Sequence, residues 1–155
     1  MVCSGTFTIS KLRQTLPLAV SLDENNLIIL LVWELVRSEN EQNWRFHLER
    51  LCNAIGSMVT CPLTILSDRE KGLIRASDSL SPNGHRGFCC QHIADNVRSR
   101  FGNAARDLFW KVANPRSSVA YGDTLAELKE ASSRAAEYVS TTTPELFDTS
   151  HFPGP

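Results

Sequence analysis

Carboxylates and thiols are the side chains of this 155-residue chain that could do chemistry, and several stand where a fold could aim them. Asp68 follows a short apolar run, residues 62–66, in the order Ser67, Asp68, Arg69. An acid at a strand end can hold a hard divalent cation through oxygen and leave coordination positions open for a phosphate. The same acid could instead accept backbone bonds in the strand-to-helix turn or cap the next helix. Arg69 and Lys71 could meet phosphate or be merely solvated. Asp123, Glu127 and Glu130 would share one face of a helix, a pattern that more often marks a solvated face than a site. In Cys89-Cys90-Gln91-His92 a thiolate and an imidazole three apart could supply half of a zinc site, with Cys90 or His85 adding a ligand. Cys52 and Cys61 are isolated and His151 lies in the tail, so no second cluster completes it. A structural role, with Cys89 buried and His92 bonded to backbone, is therefore the stronger reading. A thiol enzyme using Cys89 or Cys90 with His92 or His85 as base would have only Asp95 to orient that base, and ranks lowest.

The elements that must carry these residues follow from pattern. Residues 16–36 hold two apolar runs split by Asp23, Glu24, Asn25 and Asn26, which is a hairpin signal because Asp and Asn accept left-handed backbone angles and bond to their own main chain. The second run is almost continuously apolar and predicts a strand covered on both faces. An earlier strand is expected over residues 3–9. Ser38, Glu39, Asn40 and Glu41 offer a cap and an acidic first turn, after which Trp44, Leu48, Leu51, Cys52 and Ile55 recur at helical spacing until Gly56. Residues 62–66 form a short strand, 71–79 a brief helix, 81–84 a turn and 86–90 a last strand. Beyond that, Val97, Phe101, Ala104, Ala105, Leu108 and Val112 make one helical stripe and Leu125, Leu128, Ala135 and Val139 another, with Pro115 between. Of the adjacent Phe109 and Trp110, one should be packed and the other partly exposed, and Trp44 reads as core. Residues 141–155, with their Thr and Pro, read as a poorly ordered, loop-like tail. One α/β domain over residues 1–140 is the expectation, a mixed sheet flanked by helices with a helical C-terminal part.

Composition narrows the function classes. Sixteen Lys and Arg against 17 Asp and Glu give no overall basic footprint, so any grip on DNA must be local or come from elsewhere. The start of the chain lacks a basic region followed by an apolar run, which argues against a secretory signal. The longest apolar stretch, residues 27–36, is interrupted by Glu34 and too short for a bilayer. Five scattered cysteines fit reduced thiols inside a cell.

Four blocks, taken in order, resemble the core of Mutator-like (MULE) transposases and of the plant far-red-response regulators derived from them. They are residues 18–26 (Leu-Ala-Val-Ser-Leu-Asp-Glu-Asn-Asn), residues 38–51 beginning Ser-Glu-Asn-Glu-Gln-Asn-Trp, residues 63–72 (Leu-Thr-Ile-Leu-Ser-Asp-Arg-Glu-Lys-Gly), and residues 85–92 (His-Arg-Gly-Phe-Cys-Cys-Gln-His) with Asn96 following. Residues 144–152 also resemble the segment that closes the domain in that family, so the resemblance runs over about residues 4–154.

The resemblance implies a ribonuclease H-like fold and metal-dependent DNA cleavage and strand transfer by three acids. Two Mg²⁺ or Mn²⁺ ions, roughly 3.5–4 Å apart in such sites, would be the cofactors, with zinc disfavoured. Asp68 matches the second acid and would be a metal ligand. The first acid belongs to an Asp-Gly-Thr triplet, and here the triplet is Ser4-Gly5-Thr6; a neutral hydroxyl is a poor substitute for an anionic Mg²⁺ ligand. For the third, Gly122 falls where the acid is expected, which leaves Asp123 or Glu127 nearby, and Glu127 is the residue chosen. Cys89 and His92 match the family's Cys-x-x-His signature. Implied partners are DNA at transposon ends and other copies of the chain, with no membrane or small-molecule substrate, and the implied location is the nucleus. The expectation is a truncated or decayed transposase domain, inactive as it stands; the alternative is a non-catalytic, DNA-associated or transcription-regulatory derivative.

Overall fold

The computed structural model describes residues 2–7, for which only the backbone is considered, and residues 14–56, 64–80 and 85–153. The chain is mixed α/β and divides into two compact units, residues 1–86 and 87–155. The boundary thus lies inside the region expected to be a single domain.

In the first unit the strands are β1 (Val2–Phe7), β2 (Thr15–Leu22), β3 (Ile28–Trp33) and β4 (Thr64–Ser67), and β5 (His85–Phe88) spans the boundary. The sheet order is β3-β2-β1-β4-β5, with β1 antiparallel to β2, β2 antiparallel to β3, and β1 parallel to β4. The hairpin forms as its turn residues require. Asp23 Oδ1 accepts the N–H groups of Asn25 and Leu27, both at 2.8 Å, and Asn26 takes the left-handed φ of 61° that Asn tolerates better than other side chains.

The expectation that β3 is covered on both faces is wrong. The strand lies at the edge of the sheet, and Ile28 is 73%, Leu30 54% and Trp33 63% exposed. A run of apolar residues records only that no polar partner is needed along the strand; the order of strands decides whether anything covers it. A register shift between Ala19 and Val20 leaves Leu31 as an extra residue in β3, a bulge of the kind common at sheet edges.

Helix α1 (Glu41–Ile55) starts at Asn40, whose side chain accepts the N–H of Asn43 at 2.9 Å. Its inner face is Trp44, His47, Leu48 and Leu51. Cys52, expected on that face, is exposed, and His47 is buried instead. Helix α2 (Lys71–Leu80) packs against α1, and Ala19, Ile65, Leu73 and Ala76 join the α1 residues in one core. Gly72 permits this approach, since a Cβ there would lie 2.7 Å from the backbone N of Glu41 and 2.9 Å from the backbone C of Asn40. The turn expected over residues 81–84 lies outside the described residues, as do Thr8, Ile9, Pro62 and Leu63 of the expected strands.

The second unit is helical: α3 (Cys90–Phe101), α4 (Asn103–Ala113), α5 (Ser118–Ala131) and α6 (Ser133–Ser140), followed by a 3₁₀ turn (Pro144–Leu146). The last strand stops at Phe88, not at Cys90, because Cys89 is already the residue before α3. Each expected helical stripe is carried by two helices. Gly102, at φ 91°, interrupts the first, a conformation that suits a residue without Cβ. Ser132 interrupts the second, its side chain accepting the N–H of Ala135 at 3.2 Å to start α6. Phe109 is fully buried while Trp110 is half-buried, as two adjacent aromatics on a helix must be.

The tail is irregular but not loose. Phe147 is buried and stacks on Phe109 with centroids 5.9 Å apart, Asp148 is 0% exposed, and the N–H of Thr149 donates to the carbonyl of Ala113 on α4 at 3.2 Å. Two phenylalanines in an otherwise polar stretch are a weak pattern, yet one of them, Phe147, packs on α4. Among the described residues, no helix is long and apolar enough to cross a membrane.

Candidate functional site

In the first unit, the parallel pairing of β1 with β4 brings two of the singled-out positions level with each other. Cys3 pairs with Ser67, so Ser4 and Asp68 are each the next residue along two neighbouring strands running the same way. Asp68 is half-buried. Its Oδ1 accepts the N–H of Glu70 at 3.0 Å, and Glu70 in turn accepts the N–H of Leu73 at 2.7 Å. Glu70 therefore satisfies an orphan donor in the first turn of α2, and Asp68 shapes the turn that leads to it. Both readings weighed for Asp68 are compatible with this geometry: one oxygen is spent on the turn, and the other accepts no hydrogen bond among the described residues.

Glu39, just before α1, is the acid that sequence reasoning missed. Burial raises its pKa, and the negative charges of Asp68 and Glu70 raise it further. Three acids from the turns before α1 and α2 thus share one electrostatic environment, and nothing in the spacing of residues 39, 68 and 70 could have revealed it, because the approach of α1 to α2 at Gly72 creates it. Among the described residues, no group of three or more His, Cys, Asp or Glu side chains could hold a metal ion. Two hard cations side by side need several anionic oxygens. Among the described residues, Asp68 leaves one carboxylate oxygen outside the bonds of the turn, and the position paired beside it on β1 is a serine in the sequence.

A second polar group lies under β3. His47 is 0% exposed, with Nδ1 3.7 Å from an oxygen of Glu34, and Arg50 Nε lies 3.3 Å from the other. The distance suggests an ion pair, but desolvation lowers the pKa of His47 to about 4 and raises that of Glu34, which Arg50 partly offsets. The physical argument favours a neutral imidazole, since neither ring nitrogen has a hydrogen-bond partner among the described residues and an imidazolium there would be buried without one.

The remaining candidates belong to the second unit. Glu127 is exposed on α5 and pairs with Lys111 of α4 at 2.8 Å, and Asp123 is exposed as well. Cys89 is half-buried, at the N-cap position of α3, with no side-chain capping bond. His92 is exposed. The expected buried Cys89 and backbone-bonded His92 are therefore not what forms. The thiol that serves structure is Cys90, which donates to the carbonyl of Phe147 at 3.1 Å and whose pKa burial pushes up to about 11. A thiol held so firmly protonated is no nucleophile at neutral pH. Asp95 is engaged by Gln91 at 2.9 Å and Arg98 at 3.4 Å.

Asp148, which the loop-like reading of the tail passed over, is the most completely bonded acid here. It accepts the backbone N–H of Ser150 at 2.8 Å, the Ser150 hydroxyl at 3.2 Å, and a contact from His151 Nδ1. The ring of His151 stands edge-on to Tyr121 of α5, with centroids 5.1 Å apart. Serine, histidine and aspartate in one cluster suggest a hydrolytic triad, but Ser150 and Asp148 both meet the same imidazole nitrogen. A triad needs the acid on one ring nitrogen and the nucleophile on the other. This cluster therefore ties the closing segment to itself and to α5.

No curated protein matches this chain. The family described as the MULE transposase domain matches residues 1–96, a span that contains the whole sheet, Ser4, Asp68, Cys89 and His92. The chain belongs to the MULE transposase domain family.

Proposed function

We propose that this chain is a transposase-derived, ribonuclease H-like domain that engages DNA in the nucleus and has lost the ability to cut it. The observation that carries this reading is a pair of positions level with each other on neighbouring strands: Asp68, just past β4, keeps one oxygen without a hydrogen bond among the described residues, while the matching position on β1 is Ser4. A parallel pair flanked on one side by an antiparallel hairpin supports the ribonuclease H-like fold. Membership of the family supports DNA as the partner. Glu127, the acid the sequence offers for the third position, is tied to Lys111 on the helix surface. Mg²⁺ or Mn²⁺ would supply Lewis-acid activation of water and phosphate in an intact site; the loss of one anionic ligand removes the charge that holds it.

The test is nicking of a labelled DNA duplex in Mg²⁺ and in Mn²⁺ by the wild-type chain, Ser4→Asp and Asp68→Ala. The expected wild type is inactive, and gain of nicking in Ser4→Asp would assign position 4 to the missing ligand. Wild-type nicking that disappears in Asp68→Ala would overturn the inactive reading.

A further inference from the structure

The open edge of β3 carries a run of exposed apolar residues. Leu27, Ile28, Ile29, Leu30, Trp33 and Leu35 are 45–73% exposed. Edge strands are ordinarily protected by charge, proline, covering segments or bulges. Residues 28–33 contain no charged residue and no proline, and the bulge at Leu31 leaves Ile28, Ile29 and Leu30 in regular pairing with β2. No strand pairs with the outer side of β3 among the described residues.

Two further observations say what fits there. Charged residues flank the strand: Asp23 and Glu24 in the turn before it, and after it Glu34, which is paired with Arg50, and then Arg37; neither Glu24 nor Arg37 is ion-paired among the described residues. A second copy laid antiparallel reverses this order, so the acidic turn of each copy meets the Arg37 end of the other; parallel pairing would set like against like. The six side chains present on the order of 600 Å² per copy, at the upper end of what a monomer exposes in one patch.

We propose that β3 is an interface between two copies of this chain, joined edge to edge and antiparallel about a two-fold axis. Such a contact is self-complementary and closes at two copies. The proposal does not depend on the transposase reading or on any catalysis.

Sedimentation velocity of the purified chain over a range of concentrations tests it. The wild type is expected to sediment as a concentration-dependent dimer, and Leu30→Lys to weaken the dimer by roughly tenfold or more with its far-ultraviolet circular dichroism unchanged. Ile28→Lys, at the most exposed position of the strand, gives the same reading if Leu30→Lys fails to fold. Arg37→Glu should weaken association, and Glu24→Arg added to it should restore the dimer, because both ends are then reversed together. A wild type that remains monomeric throughout, a patch that binds only an unrelated protein or DNA, open-ended association beyond two copies, or a dimer indifferent to both lysine variants would each overturn the proposal.

Discussion

Each of the two units buries a histidine–carboxylate pair, and the two are wired oppositely. In the second unit the acid is the buried member: Asp148 accepts two bonds from Ser150 and one from His151, which is itself half-buried. In the first unit the histidine is the buried member, and Glu34, 3.7 Å away, gives it no hydrogen bond. A carboxylate can be buried at tolerable cost when donors surround it. An imidazole without an acceptor can be buried only as the neutral form. Proximity is similar in kind, but the hydrogen-bond inventory makes one pair a structural tie and leaves the other a weak point.

The largest effect expected from breaking this contrast is at Asp148. Asp148→Ala should cost at least about 3 kcal/mol, because three contacts to one buried carboxylate are lost together and hydrogen bonds to a charged group contribute about 1.5–3 kcal/mol each, read as a fall in the denaturant midpoint at unchanged slope. A loss below about 1 kcal/mol would mean that the closing segment is not held by this acid.

Next comes the acid limb of stability. The folded pKa of His47, about 4, lies below the ordinary value of 6.5, so the unfolded chain binds more protons between those two values. Stability is therefore fully present above pH 6.5 and lost as pH falls towards 4, by up to about 3 kcal/mol. His47→Leu should flatten that limb. A limb equally steep in the variant would move the cause to other groups and dissolve the comparison. Glu34, whose folded pKa is raised, acts in the opposite sense and loses stability as pH rises through its own range.

The smallest effect marks the surface limit of the same physics. Glu127→Ala breaks an ion pair of which both members are about half exposed, and should change stability by no more than about 0.5–1 kcal/mol. A double-mutant cycle with Lys111→Ala would measure the coupling directly; a coupling well above 1 kcal/mol would show that solvent does not screen the pair.

Much of this was legible in the residues, for reasons that are local. Asp23 and Asn26 announce the β2–β3 turn through their own backbone bonding, Asn40 caps α1, and the spacing of Trp44, Leu48 and Leu51 gives its inner face. The order of blocks ending at His92 was enough to reach the family. Cap details within the helical half were legible only in hindsight, because Gly102 and Ser132 interrupt stripes whose periodicity continues across the break.

What the sequence determined alone is therefore what depends on neighbours in the chain: turns, caps, helical faces, and the family to which those blocks belong. What only the tertiary structure decided depends on residues far apart. Strand order turned an apolar run into an exposed edge, the approach of two helices at Gly72 gathered Glu39 with Asp68 and Glu70, and the closing segment buried Asp148. Periodicity states which side chains avoid water, but burial and pKa are set by the groups that arrive from elsewhere in the chain.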